Sequence, residues 1–438
     1  MKNLVNHNET ENKSIPYRIN NFSFEYKKVW ELERDFGSSF FLLDVNKLRK
    51  NYQKIEDAFK SRYENFIIGY SYKTNYLPYL CRELSKLGAY AEVVSRLEYD
   101  LAIKIGEDPK RIIFNGPIKS RDDIQYALNN ESIINIDSFY EADFVKEYAR
   151  EHPVKQIKIG IRLNFDISEN GISPHQEGYE IGRFGICVEN GDFHDVIKQL
   201  KEQKNIKIVG LHGHFSTRER KVETYGKITE RLCQIAKESI IDSLEYIDIG
   251  GGMYGELPKS FNTVVPTFNE YAHSVCEVMN KEFSGHENKP TLILEPGLAM
   301  VANVFIFITK VIDTKTIRDK HFVLVDGSVH NIKPTMHKKN LPMNYIRQNE
   351  EPGKAKEIFN IVGYTCMEKD YLAHEIVDVL PQKNDYILFE NVGAYTIVFN
   401  PPFIKERPSI IAMDQDELIE VRRKETFRQF FNEEIYCF

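Results

Sequence analysis

The sequence lacks the features that mark membrane, disulfide-rich and nucleic-acid-binding proteins. No apolar run approaches the roughly 18 residues that cross a bilayer, and the polar N-terminus has no signal-peptide core. The six cysteines include no CxxC pair, a pattern typical of reduced thiols rather than of a disulfide or zinc framework. A net charge of -7 argues against nucleic acid or an anionic membrane as the partner. We therefore expect a cytoplasmic protein whose 438 residues, 42% of them apolar, form one large or two ordinary globular domains.

Short apolar runs alternate with helical stretches between residues 65 and 297. Apolar residues recur at three- and four-residue spacing from Leu77 to Leu87, and Gly88 then predicts a helix end. Ser95 and Glu98 form a capping-box pattern that predicts the start of the next helix. Strands that alternate with helices over this length favour a closed (β/α)8 barrel, with an open doubly wound sheet as the weaker alternative. The eight predicted strands are 66–70, 89–94, 111–114, 133–136, 157–163, 208–212, 246–249 and 291–295.

After residue 300 the pattern changes to short runs broken by Asp, Gly, Pro or Asn, which predicts an all-β domain. The run Phe40–Leu43 precedes the barrel and is predicted to be an N-terminal strand of this β-domain. We therefore place the barrel at 46–298 and the β-domain at 21–45 plus 299–438, after a polar segment, 1–20, that we expect to be disordered. The predicted strands of the β-domain are 322–325, 358–362, 375–380, 386–389, 395–399 and 418–421.

Residues at or just after the predicted strands carry most of the reactive side chains, and active sites of such barrels lie at the C-terminal ends of the strands. Three glycines after the seventh strand would let backbone N–H groups approach an anion closely. Lys73 follows the first strand, where a lysine is more often a solvated rim residue than a nucleophile. His212 and His214 share a face of the sixth strand, but no third ligand is convincingly spaced, so we predict no metal site. The other residues of this set are Glu92, Arg162, Thr217 and Glu295.

Six short motifs follow one another along the chain: Tyr70–Asn75 (Tyr-x-x-Lys-x-Asn), Gly210–His214, Asp248–Gly252, Glu295–Gly297, Gly363–Asp370 and Gly393–Tyr395. In this order they resemble the fold-type III pyridoxal-phosphate-dependent enzymes, specifically the family of diaminopimelate and ornithine decarboxylases. The resemblance covers residues 38–403. It implies a barrel of the alanine-racemase type, followed by a β-domain that includes an N-terminal strand, which agrees with the pattern of runs.

The resemblance implies pyridoxal 5'-phosphate as the cofactor and gives each nearby residue a role. Lys73 would form the Schiff base with the cofactor aldehyde, in a pocket expected to favour the neutral amine. Glu295 would keep the pyridine nitrogen protonated, which favours decarboxylation; the related alanine racemases have an arginine there. His214 would stack on the ring, and Glu92 and Arg162 would lie near the Lys73 side of it. The phosphate would be held by Gly250, Gly251, Gly252, Thr217 and Tyr395.

Cys366 lies in the motif Gly-x-x-Cys-x-x-x-Asp, outside the predicted barrel. An isolated cysteine is most often a buried packing residue. In the family that this chain resembles, the equivalent cysteine reaches the active site of the partner subunit and protonates the carbanion. The resemblance therefore implies a homodimer with two shared sites, in which Cys366 is catalytic alongside Lys73, Glu295 and His214.

The residues expected on the substrate side depart from the family pattern. Leu298 replaces the arginine that often follows Glu-Pro-Gly, and Met367 replaces an acid, with Glu368 one place later. His337 stands where relatives often have tyrosine, and we place Asp370 in the same substrate group. An apolar residue cannot compensate for desolvating an ammonium group, so we predict a decarboxylase of a modified or conjugated amino acid, as in siderophore or antibiotic assembly. The alternatives are a diaminopimelate decarboxylase of lysine biosynthesis, a catalytically silent relative and a racemase.

Overall fold

The computed structural model describes residues 17–19, 22–168, 171–287, 289–349 and 353–437. They divide into two compact units: a barrel unit of 45–305 with 391–399, and a β-rich unit of the described residues up to 44, 306–390 and those from 400 on. The boundary expected at residue 298 had assigned 391–399 to the β-domain. The segment expected to be disordered lies outside the described residues, apart from Tyr17–Ile19, which pairs as a strand with Phe22–Phe24. None of the described helices is both long and apolar enough to cross a membrane.

Eight parallel strands close into a barrel, as the sequence pattern predicts. The sheet closes because the eighth strand pairs with the first, with Leu292 opposite Phe66. The strands are rich in isoleucine and mostly buried along their whole length, as expected when both faces of a parallel sheet are covered. The barrel strands are Phe66–Ser71, Tyr90–Val93, Ile112–Phe114, Ile133–Ile136, Ile157–Asn164, Ile206–His212, Tyr246–Asp248 and Thr291–Leu294. A short strand, Ile186–Cys187, pairs with the end of the fifth.

Helices link the barrel strands, and they end at helix-capping residues that the sequence shows. The helix predicted to stop at Gly88 does so: this glycine has a φ of 113°, and its N–H donates to the carbonyl groups of Leu84 and Ser85. The α-helices of the barrel unit are Val45–Lys60, Pro78–Leu87, Arg96–Lys104, Arg121–Asn129, Phe139–Glu151, Asp192–Lys201, Val222–Ser239, Phe268–Glu282 and Leu298–Val301. Its 3-10 helices are Tyr72–Thr74, Pro109–Arg111, Ile241–Ser243, Lys259–Phe261, Ala302–Val304 and Ile397–Phe399.

A nine-stranded mixed sheet forms the core of the β-rich unit. The predicted N-terminal strand, Ser39–Asp44, joins it by running parallel to Ser409–Asp414. Phe40, Leu42 and Ile411 are fully buried in its main apolar cluster. The other strands are Phe305–Ile317, Lys320–Val325, Met343–Ile346, Lys356–Val362, Tyr371–Val379, Tyr386–Glu390 and Glu417–Arg422, and the helices are Tyr26–Phe36, Val329–Ile332 and Phe427–Phe430.

The segment 395–399, predicted as a strand, is instead a turn that leads into the 3-10 helix Ile397–Phe399. Tyr395 has a φ of 56°, in the left-handed region, and its N–H donates to the Thr74 carbonyl at 2.9 Å. A Cβ atom on Gly393 would lie 1.9 Å from the Val301 carbonyl oxygen. The close approach at this glycine holds the segment against residues that follow the first and eighth barrel strands. A pattern of apolar residues does not reveal such a backbone contact.

The helix Arg96–Lys104 begins with half of the predicted capping box. The Glu98 N–H donates to the Ser95 hydroxyl at 3.3 Å, as predicted. The Glu98 carboxylate, however, accepts a hydrogen bond from the Val94 N–H at 2.8 Å instead of from the Ser95 backbone. Glu98 is 5% exposed, and this burial raises the pKa of its carboxyl group to about 7.

Glu98 should make stability fall as the pH rises from about 4.5 to about 7, because the folded state keeps a proton that the unfolded state has released. We expect Glu98→Gln to stabilise the protein by up to about 3 kcal/mol at pH 8 and to change little at pH 4.5. Urea unfolding of variant and parent at both pH values measures this. Glu270→Gln is the matched control, because backbone hydrogen bonding at Thr267 lowers the pKa of that exposed capping-box acid. Its stability relative to the parent should change with pH in the opposite direction.

Lys119 and Glu141 form an ion pair with both side chains fully buried and Nζ 2.9 Å from the carboxylate. Lys119 Nζ also donates to the Gly116 carbonyl at 2.8 Å. Burial lowers the pKa of Lys119 and raises the pKa of Glu141. Each charge is therefore tolerated in the interior because its partner is present.

Removal of one partner should leave the other charge buried and unpaired, so we expect Lys119→Met to lower the free energy of unfolding by about 3–5 kcal/mol. The double variant with Glu141→Met should recover a large part of that loss. Lys110→Met is the control, because Lys110 and Glu131 pair at 2.7 Å with side chains 65% and 60% exposed. Denaturant midpoints of the parent and the three variants measure these changes. Equal losses of stability in Lys119→Met and Lys110→Met would contradict the prediction.

Candidate active site

Lys73 lies where the first barrel strand ends, in the 3-10 turn Tyr72–Thr74. Its Nζ is 2.7 Å from Glu92 Oε2 and donates to the Ser71 hydroxyl at 3.3 Å. Glu92 is in the second strand, which pairs with the first, with Ser71 opposite Glu92. The strand register therefore places the amine and this carboxylate together.

The charge state of Lys73 differs from the sequence-based expectation. Burial by itself would lower its pKa, but the carboxylates of Glu92 and Glu295 offset this and leave the pKa above the ordinary value. The expectation of a pocket that favours the neutral amine is wrong, because both acids come from other strands and their distance from Lys73 is not visible in the sequence. An ammonium group is not a nucleophile, so Lys73 must lose a proton before it can react.

Glu295 follows the eighth strand and is 3% exposed. Its carboxylate accepts a hydrogen bond from Asn115 and lies 3.5 Å from His212 Nε2. Burial would raise the pKa of Glu295, but His212 and Lys73 hold it below its usual value. Burial and the neighbouring Glu295 raise the pKa of Asp248. Of this pair of acids, Glu295 is therefore the ionised one.

His214 and the three glycines fit closely against each other. The Gly251 N–H donates to His214 Nδ1 at 3.1 Å, and a Cβ atom on Gly250 would lie 2.6 Å from His214 Cβ. A Cβ on Gly251 would lie 2.0 Å from the Glu295 carbonyl oxygen, and Gly252 has a φ of 96°. Burial, Arg162 and Lys73 lower the pKa of His214 to about 3, so the imidazole is neutral at physiological pH. A neutral ring beside a glycine loop suits stacking against a planar ligand.

Several buried polar atoms around this loop have no hydrogen-bond partner among the described residues. They include the hydroxyl groups of Thr217 and Thr74 and the Nε atom of Arg162. Orphaned donors in a buried site indicate a polar ligand that satisfies them. With the glycine cradle, they fit a phosphorylated group of the kind that the resemblance implies, pyridoxal 5'-phosphate.

Tyr395 is expected at the cofactor phosphate, and Arg162 is expected near the Lys73 side of the cofactor ring. Tyr395 lies in the barrel unit, and its charged form would raise the pKa of Lys73. Arg162 Nη1 is 3.3 Å from Asp137, and Nη2 donates to the His214 carbonyl at 3.4 Å. Arg162 is thus bound on the His214 side, and no ion pair joins it to Glu92 in the described part of the chain.

The predicted substrate residues fall into both units. Leu298 is half-buried at the start of the helix Leu298–Val301 in the barrel unit. The other four belong to the β-rich unit, where Glu368 and His337 are exposed and Met367 is half-buried. Cys366, on the same loop as Met367, is exposed. Partial desolvation of the ring and the charge of Lys333 lower the pKa of His337.

Asp370 does not face solvent as a substrate contact would. Its carboxylate accepts hydrogen bonds from the Val329 N–H at 2.7 Å, the Thr365 N–H at 3.0 Å and the Ser328 hydroxyl at 3.1 Å. The substrate role predicted for Asp370 is therefore corrected: this side chain holds the Cys366 loop and the start of the helix Val329–Ile332 in place.

Sequence reasoning gave no role to three side chains of chemical interest. Asp248, His212 and Glu295 each place one potential ligand atom within 4.8 Å of the other two. Asp248 is thus a third potential metal ligand, where the sequence analysis expected none. Asn115 is 2% exposed and contacts both Glu92 and Glu295. Lys333 is 1% exposed, and its Nζ has no partner among the described residues. For Asp248 and Asn115 the one signal in the sequence is their position at the end of a barrel strand, and Lys333 has no such signal.

A separate cavity of about 590 Å3 lies at the opposite, amino-terminal end of the barrel strands, lined by Ile133, Ile157 and Thr291 among others. It does not include Lys73 or the glycine loop.

Known proteins share this architecture over almost the whole chain. The diaminopimelate decarboxylase of Aquifex aeolicus is 26% identical over 95% of this chain and 96% of its own, and that of Methanocaldococcus jannaschii is 25% identical over 97% of each. A crystal structure of the Methanocaldococcus jannaschii enzyme superposes with a TM-score of 0.85 at 24% identity, over 97% of both chains. The sequence pattern of the family "Pyridoxal-dependent decarboxylase, pyridoxal binding domain" matches residues 45–302. The chain is therefore a member of the pyridoxal-phosphate-dependent decarboxylases, which are carbon–carbon lyases.

Proposed function

We propose that this decarboxylase removes the α-carboxylate of a diaminopimelate-type amino acid at the site around Lys73. The observation that carries the reaction is the contact of Lys73 with Glu92, with Glu295 ionised nearby. Support for the substrate comes from relatives named diaminopimelate decarboxylase that match this chain over nearly their full length.

Each residue near Lys73 has a task that its geometry supports. When bound, pyridoxal 5'-phosphate supplies an aldehyde for the amine and a ring that accepts the electron pair left by carbon dioxide. Glu92 Oε2, at 2.7 Å, is placed to take the proton from Lys73 Nζ and to return it. Ionised Glu295 would hold a proton on the pyridine nitrogen, and neutral His214 would cover the ring face. The glycine loop, Thr217 and Tyr395 would hold the phosphate.

A second candidate substrate is a modified or conjugated amino acid with an uncharged far portion, of the kind used in siderophore or antibiotic assembly. Two half-buried apolar side chains, Leu298 and Met367, favour it, because neither can hydrogen-bond an ammonium or carboxylate group. A racemase is disfavoured by Glu295, and a silent relative by the presence of Lys73, Glu295 and Cys366 together.

The two substrate classes should separate in a carbon dioxide release assay with diaminopimelate, ornithine and N-acylated diamino acids. If Met367 lies beside the far end of the substrate, Met367→Glu should raise kcat/KM for a substrate with a distal ammonium group by roughly 10- to 100-fold. Lys369→Gln, on the same exposed loop, is the control and should change little. Lys73→Ala should abolish release from every substrate, and retained turnover would overturn the proposed site. Chiral analysis of recovered substrate tests for racemisation.

We propose that the active unit is a homodimer and that Cys366 donates a proton in the site of the partner subunit. Cys366 is exposed on a loop held by Asp370, which suits a group that acts on a second copy. If sites are shared, a mixture of Lys73→Ala and Cys366→Ala subunits should regain about a quarter of the parental activity, since half of the dimers are mixed and each has one intact site. Activity that stays at the level of the separate variants would place both residues of a site in one subunit. Sedimentation of the mixture verifies that dimers form.

A further inference from the structure

A chain of buried hydrogen bonds crosses the barrel interior and ends at the two acids beside the reactive lysine. The Tyr246 hydroxyl donates to Asn135 Oδ1 at 2.7 Å, and Asn135 Nδ2 donates to Asn115 Oδ1 at 2.9 Å. Asn115 Nδ2 then donates to Glu92 Oε1 at 3.1 Å and to Glu295 Oε1. All the donors point the same way, toward the carboxylates.

Two glycines make the room that this chain needs. A Cβ atom on Gly160 would lie 2.0 Å from the Tyr246 hydroxyl and 2.1 Å from Asn135 Oδ1. A Cβ on Gly210 would lie 2.1 Å from the Tyr246 ring. Gly160 and Gly210 are opposite each other in the fifth and sixth strands, and Gly210 is also opposite Tyr246 in the seventh. The barrel therefore has no side chain at these two interior positions, and the Tyr246 side chain passes through the space to reach Asn135.

The neighbours fix the orientation of the Asn115 amide. Its oxygen is already the acceptor for Asn135, so both N–H groups are free to face the acids. The reversed amide would direct its oxygen at two carboxylates and its N–H groups at the Asn135 N–H group, which would lose all three hydrogen bonds of Asn115. Asn115 and Asn135 are 2% and 1% exposed, so water cannot replace those bonds.

Two buried carboxylates beside each other repel, and the usual result is that one of them takes up a proton. A neutral group that donates to both acids opposes that outcome without adding a charge. Lys73 contacts Glu92 at 2.7 Å but has no hydrogen bond to Glu295 among the described residues, whereas Asn115 contacts both. The amide is thus the direct link between the acid near the amine and the acid assigned to the ring nitrogen.

We propose that Asn115 is a positioning residue that bridges Glu92 and Glu295 and holds Glu295 in the orientation that meets the pyridine nitrogen. Asn135 and Tyr246 support it from behind. This inference rests on the proposed role of Glu295.

The test follows the protonation of the cofactor ring. Holoenzyme is reconstituted with pyridoxal 5'-phosphate labelled with 15N in the ring, and the 15N chemical shift reports whether that nitrogen carries a proton. We expect Asn115→Leu, which keeps the volume but removes both donors, to shift the signal toward the unprotonated value. It should also lower kcat by roughly 10- to 100-fold with a smaller change in KM. Tyr246→Phe removes only the far end of the chain and should shift the signal in the same direction by less.

Asn51→Leu is the matched control for a lost buried amide. Asn51 is 4% exposed and donates to the Met300 carbonyl and to Asn303, each at 2.8 Å, so its loss should reduce stability without moving the 15N signal. Glu295→Gln is the second reference. If Glu295→Gln moves the signal and Asn115→Leu does not, the inference is overturned while the role of Glu295 stands.

If Glu295→Gln leaves the signal in place, the proposed role of Glu295 fails and the inference fails with it. If Asn115→Leu does not fold, Tyr246→Phe decides, and an unshifted signal in that variant also overturns the inference.

Discussion

Charge compensation among Lys73, Glu92 and Glu295 is the constraint on which the rest of the site depends. A buried carboxylate without a partner costs several kcal/mol, so two of them can share one end of a barrel only beside cations and hydrogen-bond donors. The strands are arranged to provide these. Gly69 in the first strand leaves space for Ile113 to pack beside the site, since a Cβ there would lie 2.8 Å from the Ile113 side chain. The catalytic chemistry thus fixes residues in the strands themselves and not only in the loops.

The sequence predicted the parts of the fold that depend on periodicity and position. Eight apolar runs with helices between them define a barrel, and the topology of a barrel brings the residues at its strand ends together. Lys73, Glu92 and Glu295 could therefore be expected near one another before any distance was known. The roles of Asn115 and Tyr246 could not be predicted. Inside a barrel, a side chain that only packs and one that donates a hydrogen bond occupy the same kind of sequence position.

Charge states and roles within motifs were the least predictable features. The pKa of Lys73 depends on how far two acids on other strands lie from its amine, and a motif gives no such distance. The motif that ends at Asp370 likewise does not reveal whether its last residue meets a ligand or, as found, binds the backbone at Val329 and Thr365. Tyr395 was read as part of a strand because its neighbours are apolar, although its backbone is left-handed.

Residues 391–399 belong to the barrel unit although they follow strands of the β-rich unit in the chain, and this has a consequence for protein engineering. Asn75 donates to the Gly393 carbonyl at 2.8 Å, and the Thr74 carbonyl accepts from the Tyr395 N–H at 2.9 Å. A barrel produced by truncating the gene after residue 305 would lose both partners next to the reactive lysine. An autonomous minimal barrel must therefore carry this nine-residue piece on a grafted linker, because the native barrel unit is discontinuous along the chain.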